Sequence, residues 1–235
     1  MSTIALVAAL PSELQPLTRG WARTAAVLRG RIGGRDVLAT ASGMGGAAVT
    51  RGCETLLAAA SANNPVGTLI SIGYAGSLSC GLRPADVCAI REVIDAGSDE
   101  RFATAPVSEM APASIKPQRL VTLDRVADPE TKRRLAEQYQ ATLVDMEAAA
   151  VARFARAHNL RFLCFKAITD GPNDQLPDFT PFTASDGTLR MPSLIAWALA
   201  HPRSWGPLRR LGRNSRQAAQ ELSNFVSRSL SGSVQ

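Results

Sequence analysis

From Leu160 to Thr169 the chain reads Leu-Arg-Phe-Leu-Cys-Phe-Lys-Ala-Ile-Thr, an almost unbroken apolar run. It is far too short to cross a bilayer, and it has no alternation that would leave one face in water. A strand of this kind must be covered on both sides, which in practice means a parallel strand between two layers of helix. Similar runs at Thr3–Ala9, Asp36–Ala41 and Thr68–Ile72 alternate with helical stretches at Ala47–Ala60, Asp128–Gln138 and Asp145–His158. The alternation predicts an α/β fold, a single domain with a mainly parallel, mixed central sheet flanked by helices. With 235 residues, 46% of them hydrophobic, one core suffices. Residues 1–200 read as the α/β body and residues 201–235 as a basic helical extension of the same domain.

Two further strands are expected at Asp86–Arg91 and Gln118–Thr122, and helices at Pro192–Ala200 and Leu222–Leu230, separated by a turn from Pro202 to Pro207. The helix Asp128–Gln138 reads as polar and exposed. Asp95–Lys116 reads as an irregular surface segment able to cover a pocket, Asn173–Met191 as a loop, and Ser231–Gln235 as a frayed end.

Composition removes several classes of function. The N-terminus carries no secretory signal pattern and no segment is long enough to span a membrane, so a cytoplasmic protein is expected. The four cysteines have no CxxC spacing and read as reduced. With His158 and His201 as the only histidines, and no His/Cys/Asp cluster at ligand spacing, no metal is expected. The net charge of +6 is concentrated at the C-terminus, where six arginines from Arg203 to Arg228 face one acid, Glu221. Such a segment lacks the interleaved aromatics of a nucleic-acid reader, and no nucleic-acid partner is expected. A solvated basic helix is the commoner outcome.

The residues that carry chemistry gather at the predicted carboxyl ends of strands, where ligands collect in α/β sheets. Glu13 follows the first strand, Ser42-Gly43-Met44-Gly45 the second, Tyr74-Ala75-Gly76 the third, and Thr169-Asp170 the last. Gly43 to Ala48 formally fits G-x-G-x-x-A, yet no acid follows about 20 residues on, which argues against a dinucleotide. The glycine turn at a helix start remains a seat for phosphate or a sugar hydroxyl. Glu147 falls in the first turn of the helix Asp145–His158, where an acid also serves as a plain dipole partner.

Taken together, Ile4–Leu14, Ser42–Gly45, Ile72–Gly76, Val144-Asp145-Met146-Glu147-Ala148-Ala149-Ala150 and Lys166–Asp170 resemble, in order, the nucleoside phosphorylase and nucleosidase family, in particular its methylthioadenosine/S-adenosylhomocysteine nucleosidase branch. The resemblance implies cleavage of the bond between a purine and C1′ of ribose through an oxocarbenium-like transition state, as in glycoside hydrolysis. It implies that Asp170 supplies a proton to N7 of the base and that Glu13 activates water. It further implies that Glu147 accepts from the ribose hydroxyls beside Met146, and that Ala75, Gly76 and Thr169 line the substrate site. Ser42, Gly43, Met44 and Gly45 would face the nucleophile. No cofactor is implied, with phosphate a co-substrate if the reaction is phosphorolysis. A homo-oligomer is implied as well.

The family often presents an aromatic side chain to the purine where this chain has Val126 and Ala127. Asp186-Gly187, Trp197, Pro202, Trp205, Pro207 and the basic stretch Leu208–Arg216 are similar to the hopanoid-associated phosphorylase subgroup, which acts on adenosylhopane, a nucleoside with a polycyclic lipid at its 5′ position. That similarity implies a lipid-linked small-molecule substrate and a peripheral contact with an anionic membrane. Phosphorolysis would need an arginine fork, for which Arg19, Arg23 and Arg51 are the candidates. Water and phosphate both stay open as nucleophile, and a nucleoside-binding module without catalysis stays open beside the enzyme.

Overall fold

The computed structural model describes residues 2–106, 117–177, 179–184 and 186–232. Its strands form one sheet. β1 (Thr3–Ala8) lies parallel between β4 (Arg35–Ala41) and β5 (Val66–Ser77), and β5 lies parallel to β10 (Arg161–Asp170). On the far side of β10 come β6 (Val87–Asp95), β8 (Gln118–Thr122) and β9 (Leu143–Asp145), and β9 returns to pair with the end of β5. The sheet thus closes on itself around β5, β9, β8, β6 and β10, while beyond β4 the strands β3 (Val27–Ile32) and β2 (Ala22–Thr24) extend outward, each antiparallel to its neighbour.

Both faces of the sheet are covered, as the run in β10 requires. Phe162, Cys164 and Ile168 point to a core shared with α2 (Gly46–Ala59) and α4 (Ala148–Ala157). Leu163, Phe165 and Ala167 point to a second core closed by α6 (Trp205–Ser231) through Ala218, Leu222, Phe225 and Val226. A third, smaller core holds α3 (Pro129–Tyr139) against β8 and β9 through Leu135 and Tyr139.

Several expectations need correction. β5 does not stop at Ile72: Gly73 to Gly76 pair onward with Lys166 to Asp170, because glycine at a strand end reads as a turn although its backbone still bonds to a neighbour. The helix expected from Asp145 begins at Ala148, since Leu143–Asp145 is a strand. α3 is not wholly exposed, as Lys132 is 2% exposed. Asp95–Lys116 is not irregular throughout: Arg101–Ala103 forms β7 against β6, and residues 107–116 lie outside the described residues. Within Asn173–Met191 a 3-10 turn forms over Thr180–Phe182. The C-terminal helix begins at Trp205, continuing through Pro207. Proline is tolerated there because first-turn amides have no helical acceptor to lose. Of the end expected to fray, Ser231 closes α6 and residues 233–235 lie outside the described residues.

Candidate active site

A cavity of about 520 Å3 opens at the carboxyl ends of β1, β5 and β10. Glu13 reaches it from α1 (Pro11–Leu14), a short turn of helix started by Pro11. The carboxylate is 4% exposed and accepts from the Leu10 amide (Oε2, 2.7 Å) and the Tyr74 amide (Oε1, 2.8 Å). Its seat depends on Gly73, where a Cβ would lie 2.7 Å from Glu13 Oε1. Burial raises the Glu13 carboxyl above its ordinary value, opposed by the Leu10 amide, the Lys166 charge and the Tyr74 amide.

Glu147 is placed by a division of labour at the start of α4. Asp145, the last residue of β9, takes over the capping: its Oδ2 accepts from the Ala148 amide at 3.0 Å, and its Oδ1 accepts from Thr122 Oγ1, which itself accepts from the Ala149 amide. Glu147 is therefore released from capping, and its Oε1 accepts from the Gly45 amide at 2.8 Å. Burial, and after it the charge of Asp145, pushes Glu147 up to about 7 against the pull of Lys166 and the Gly45 amide. Lys166, 2% exposed, pairs with Asp145 Oδ2 at 2.8 Å. Burial alone would lower this ammonium, but the carboxylate of Asp145 outweighs it and holds it protonated.

Asp170 is aimed by an irregularity in β10, where the register against β5 shifts between Ile168 and Asp170. Its Oδ1 accepts from Thr169 Oγ1 at 2.8 Å. Its Oδ2 lies 2.6 Å from Lys132 Nζ, which also donates to the Gly171 carbonyl at 2.7 Å. A Cβ at Gly76 would meet Asp170 Oδ2 at 2.8 Å, so the pair occupies the space that a side chain there would take.

The cavity brings together Glu13, Met44, Ala75, Gly76, Val126, Ala127, Met146, Glu147, Thr169 and Asp170. Ser42, Gly43 and Gly45 do not border it. Their amides are already used: Ser42 donates to the Ala8 carbonyl, Gly43 to Ala9, Met44 to Gly187 and Gly45 to Glu147. The Ser42 hydroxyl donates to the Ala8 carbonyl at 3.1 Å. Gly43 is required for this closure, with φ of 98° and the backbone of Asp186 and Gly187 where a Cβ would stand. Arg51 donates to the Asp186 carbonyl and Arg23 to that of Ala25, and neither they nor Arg19 border the cavity.

Sequence reasoning missed Lys132 and most of the outer wall. Lys132 was legible in principle, since it shares with Leu135 and Tyr139 the i, i+3, i+7 stripe that faces the core, and a lone ammonium on such a stripe must have a partner. Of that wall, Leu176, Phe179 and Leu189 lie outside any helix or strand, Leu194 comes from the helix Met191–Ala200, and Leu208 and Leu211 come from the first turns of α6, ahead of the helix expected at Leu222–Leu230. Phe179 and Tyr74 supply the aromatic surface where Val126 and Ala127 supply none.

The sequence matches the model of the phosphorylase superfamily over residues 3–123 and 119–192. The chain belongs to that superfamily. A curated relative, the 5′-methylthioadenosine/S-adenosylhomocysteine nucleosidase of Haemophilus influenzae (strain PittEE), is 25% identical over 228 residues, covering 82% of this chain and 98% of its own. Among solved structures, the futalosine hydrolase of Helicobacter pylori strain 26695 superposes with a TM-score of 0.70 at 16% identity, covering 96% of this chain and 95% of its own. The 5′-methylthioadenosine/S-adenosylhomocysteine nucleosidase of Campylobacter jejuni gives 0.70 at 16%, with 97% of each chain covered. The nucleosidase of S. pneumoniae, solved with a transition-state inhibitor, gives 0.66 at 18%, covering 96% and 99%. These neighbours share the fold over nearly the whole chain.

Proposed function

We propose that this protein hydrolyses the N-glycosidic bond of an adenosine derivative, releasing adenine. The observation that carries the reading is the convergence of Glu13, Glu147 and Asp170, from three distant parts of the chain, on one cavity. Each then has a separate task. Glu147, ionised, accepts from the ribose hydroxyls with Met146 against the sugar. Glu13, its carboxyl raised above the ordinary value by burial, takes a proton from water. Asp170 sits where the base departs.

Water is favoured over phosphate by charge and by donors. A phosphate dianion would have to enter beside the carboxylates of Glu13 and Glu147, and the amides expected to cradle it already donate elsewhere. Among the described residues Arg125 is the arginine on the cavity's border.

The apolar outer wall favours a large apolar group at the 5′ position, adenosylhopane being one such substrate. A cavity of about 520 Å3 holds a nucleoside and a short substituent, so a polycyclic one would emerge past α5 (Met191–Ala200). The test is adenine release from methylthioadenosine, adenosylhomocysteine and a series of 5′-alkyl adenosines, with and without phosphate. The expected result is phosphate-independent release of adenine and free sugar, with kcat/KM rising with alkyl length. No adenine from any of them would overturn the enzyme in favour of a binding module. A 5-substituted ribose 1-phosphate as the product would overturn the hydrolytic assignment.

A further inference from the structure

We propose that Asn214 is a positioning residue for Asp170, its side-chain amide fixing the backbone bulge that aims the carboxyl at the departing base. The inference rests on the nucleosidase reading and deepens it. Ile168 pairs with Ala75 and Asp170 with Gly76, so two residues of β10 advance against one of β5. Such a bulge takes the extra residue, here Thr169, out of the regular ladder and re-aims the side chain beside it. On its β6 side β10 is tied as far as Ile168, whose amide donates to the Asp86 carbonyl at 3.0 Å and whose carbonyl accepts from the Ala85 amide at 2.8 Å. The next carbonyl, that of the buried Thr169, accepts from Asn214 Nδ2 at 2.9 Å across 45 positions of chain.

The residue type at 214 points to this carbonyl. Asn214, Ala218 and Leu222 stand four residues apart on the buried stripe of α6, and Ala218 and Leu222 pack in the core beneath β10. An amide on such a stripe is costly unless it is bonded, and a leucine would suit the stripe better. Packing alone does not hold this end of the strand, because a second cavity of about 290 Å3, bordered by Asn214, also borders Thr169 and Asp170. Hydrogen bonds hold it instead. Asn214 takes the Thr169 carbonyl, and Asp174 Oδ2 accepts from the Gly171 amide at 2.8 Å, so the backbone is fixed on either side of Asp170. Arg210, one turn before Asn214 on α6, lies 3.5 Å from Asp174 Oδ1. α6 thus reaches both fixed points, one directly and one through Asp174.

Asn214 does not border the substrate cavity, so it acts through Asp170 alone. With the Thr169 carbonyl released, the bulge relaxes and the Asp170 carboxyl leaves its line to N7 of the purine. Glu147 and Met146 still hold the ribose. The variant therefore binds the nucleoside as before and expels the base more slowly, since a small misplacement of a catalytic group acts on the chemical step.

The test measures kcat and KM for methylthioadenosine, together with cleavage of nitrophenyl riboside, whose phenolate leaves without a proton. N214L removes the donor at similar volume. N214Q keeps it on a longer arm, for which the second cavity has room. N214L is expected to lower kcat for methylthioadenosine by about 10-fold or more, with KM and nitrophenyl release each within about threefold of wild type. N214Q is expected to restore kcat to within about threefold. A wild-type kcat in N214L, equal losses on both substrates, or N214Q as slow as N214L would overturn the assignment. Should N214L give no cooperative melt, N214A, which deletes the donor and enlarges a space already open, is measured in its place. Wild-type protein that releases no adenine removes the nucleosidase reading itself, whereas an active wild type with unaffected variants removes only Asn214.

Discussion

Glu147 pays for its position in stability. It stands at the head of a helix, buried, with the Asp145 carboxylate beside it, and these raise its carboxyl from 4.5 to about 7. A group whose folded value lies above its unfolded one destabilises the fold as pH rises between the two, because the unfolded chain gives up the proton first. The deficit is absent below 4.5 and complete above about 7, and amounts to at most about 3 kcal/mol. Glu147→Gln keeps an oxygen for the Gly45 amide but cannot ionise. It is therefore expected to melt at a higher temperature than wild type at pH 8, with the difference vanishing near pH 4, and to lose turnover at every pH. Thermal melts at the two pH values, paired with adenine release, check this; a variant no more stable at pH 8 would refute it. In the wild type, kcat/KM should rise through about pH 7 as Glu147 ionises to receive the ribose hydroxyls.

Asp170, at the end of β10, owes its position to the strand's coverage, which α6 completes on one side. Leu222 is fully buried there, and Phe225 meets Phe165 edge-on with ring centroids 5.1 Å apart. Leu222→Ala should cost about 2–5 kcal/mol in urea unfolding, whereas Gln220→Ala, exposed on the same helix, should stay within about 0.5 kcal/mol. Equal midpoints would show that α6 is dispensable to the sheet. Elements of this kind were legible because burial on two faces leaves an unbroken apolar run, as in β1, β4 and β10. The hairpin of β2 and β3 was not, since the exposed Arg29 and Arg31 alternate with the half-buried Leu28 and Gly30 and leave no apolar run. Glu13 and Asp170 could be found from their positions after strands, and Glu147 from its place at the start of a helix. Their partners could not, because Asp145 capping in place of Glu147, and Lys132 meeting Asp170 across 38 positions, are products of tertiary packing. For the same reason Ser42–Gly45 read as an anion seat: a glycine turn shows that amides are presented, not that carbonyls from Ala8, Ala9 and Gly187 have already claimed them.

The cavity and the outer surface meet at α5, and there the whole molecule acquires a direction. The ten residues of this helix include no charged side chain, and Leu194 and Ile195 border the cavity. Met191, Ile195 and Leu199 are exposed at 51%, 54% and 67%, and Trp205 follows at 44%. Arg190, Arg209, Arg210 and Arg213, all exposed, lie before and after this stretch in sequence. Apolar side chains among cations suit the surface of an anionic bilayer, where each arginine near the headgroups contributes about 1 kcal/mol and buried apolar area about 25 cal/mol per Å2. No helix among the described residues is long and apolar enough to cross a membrane. The protein is expected to sediment with phosphatidylglycerol vesicles and not with phosphatidylcholine vesicles, and to be partly released by salt. Ile195→Glu with Leu199→Glu should abolish sedimentation and adenine release from a vesicle-borne 5′-alkyl adenosine, while release from a short soluble nucleoside stays within about twofold. Failure of the wild type to sediment, or a double variant that still does, would leave α5 as a face for another copy of the chain, which ultracentrifugation would then detect.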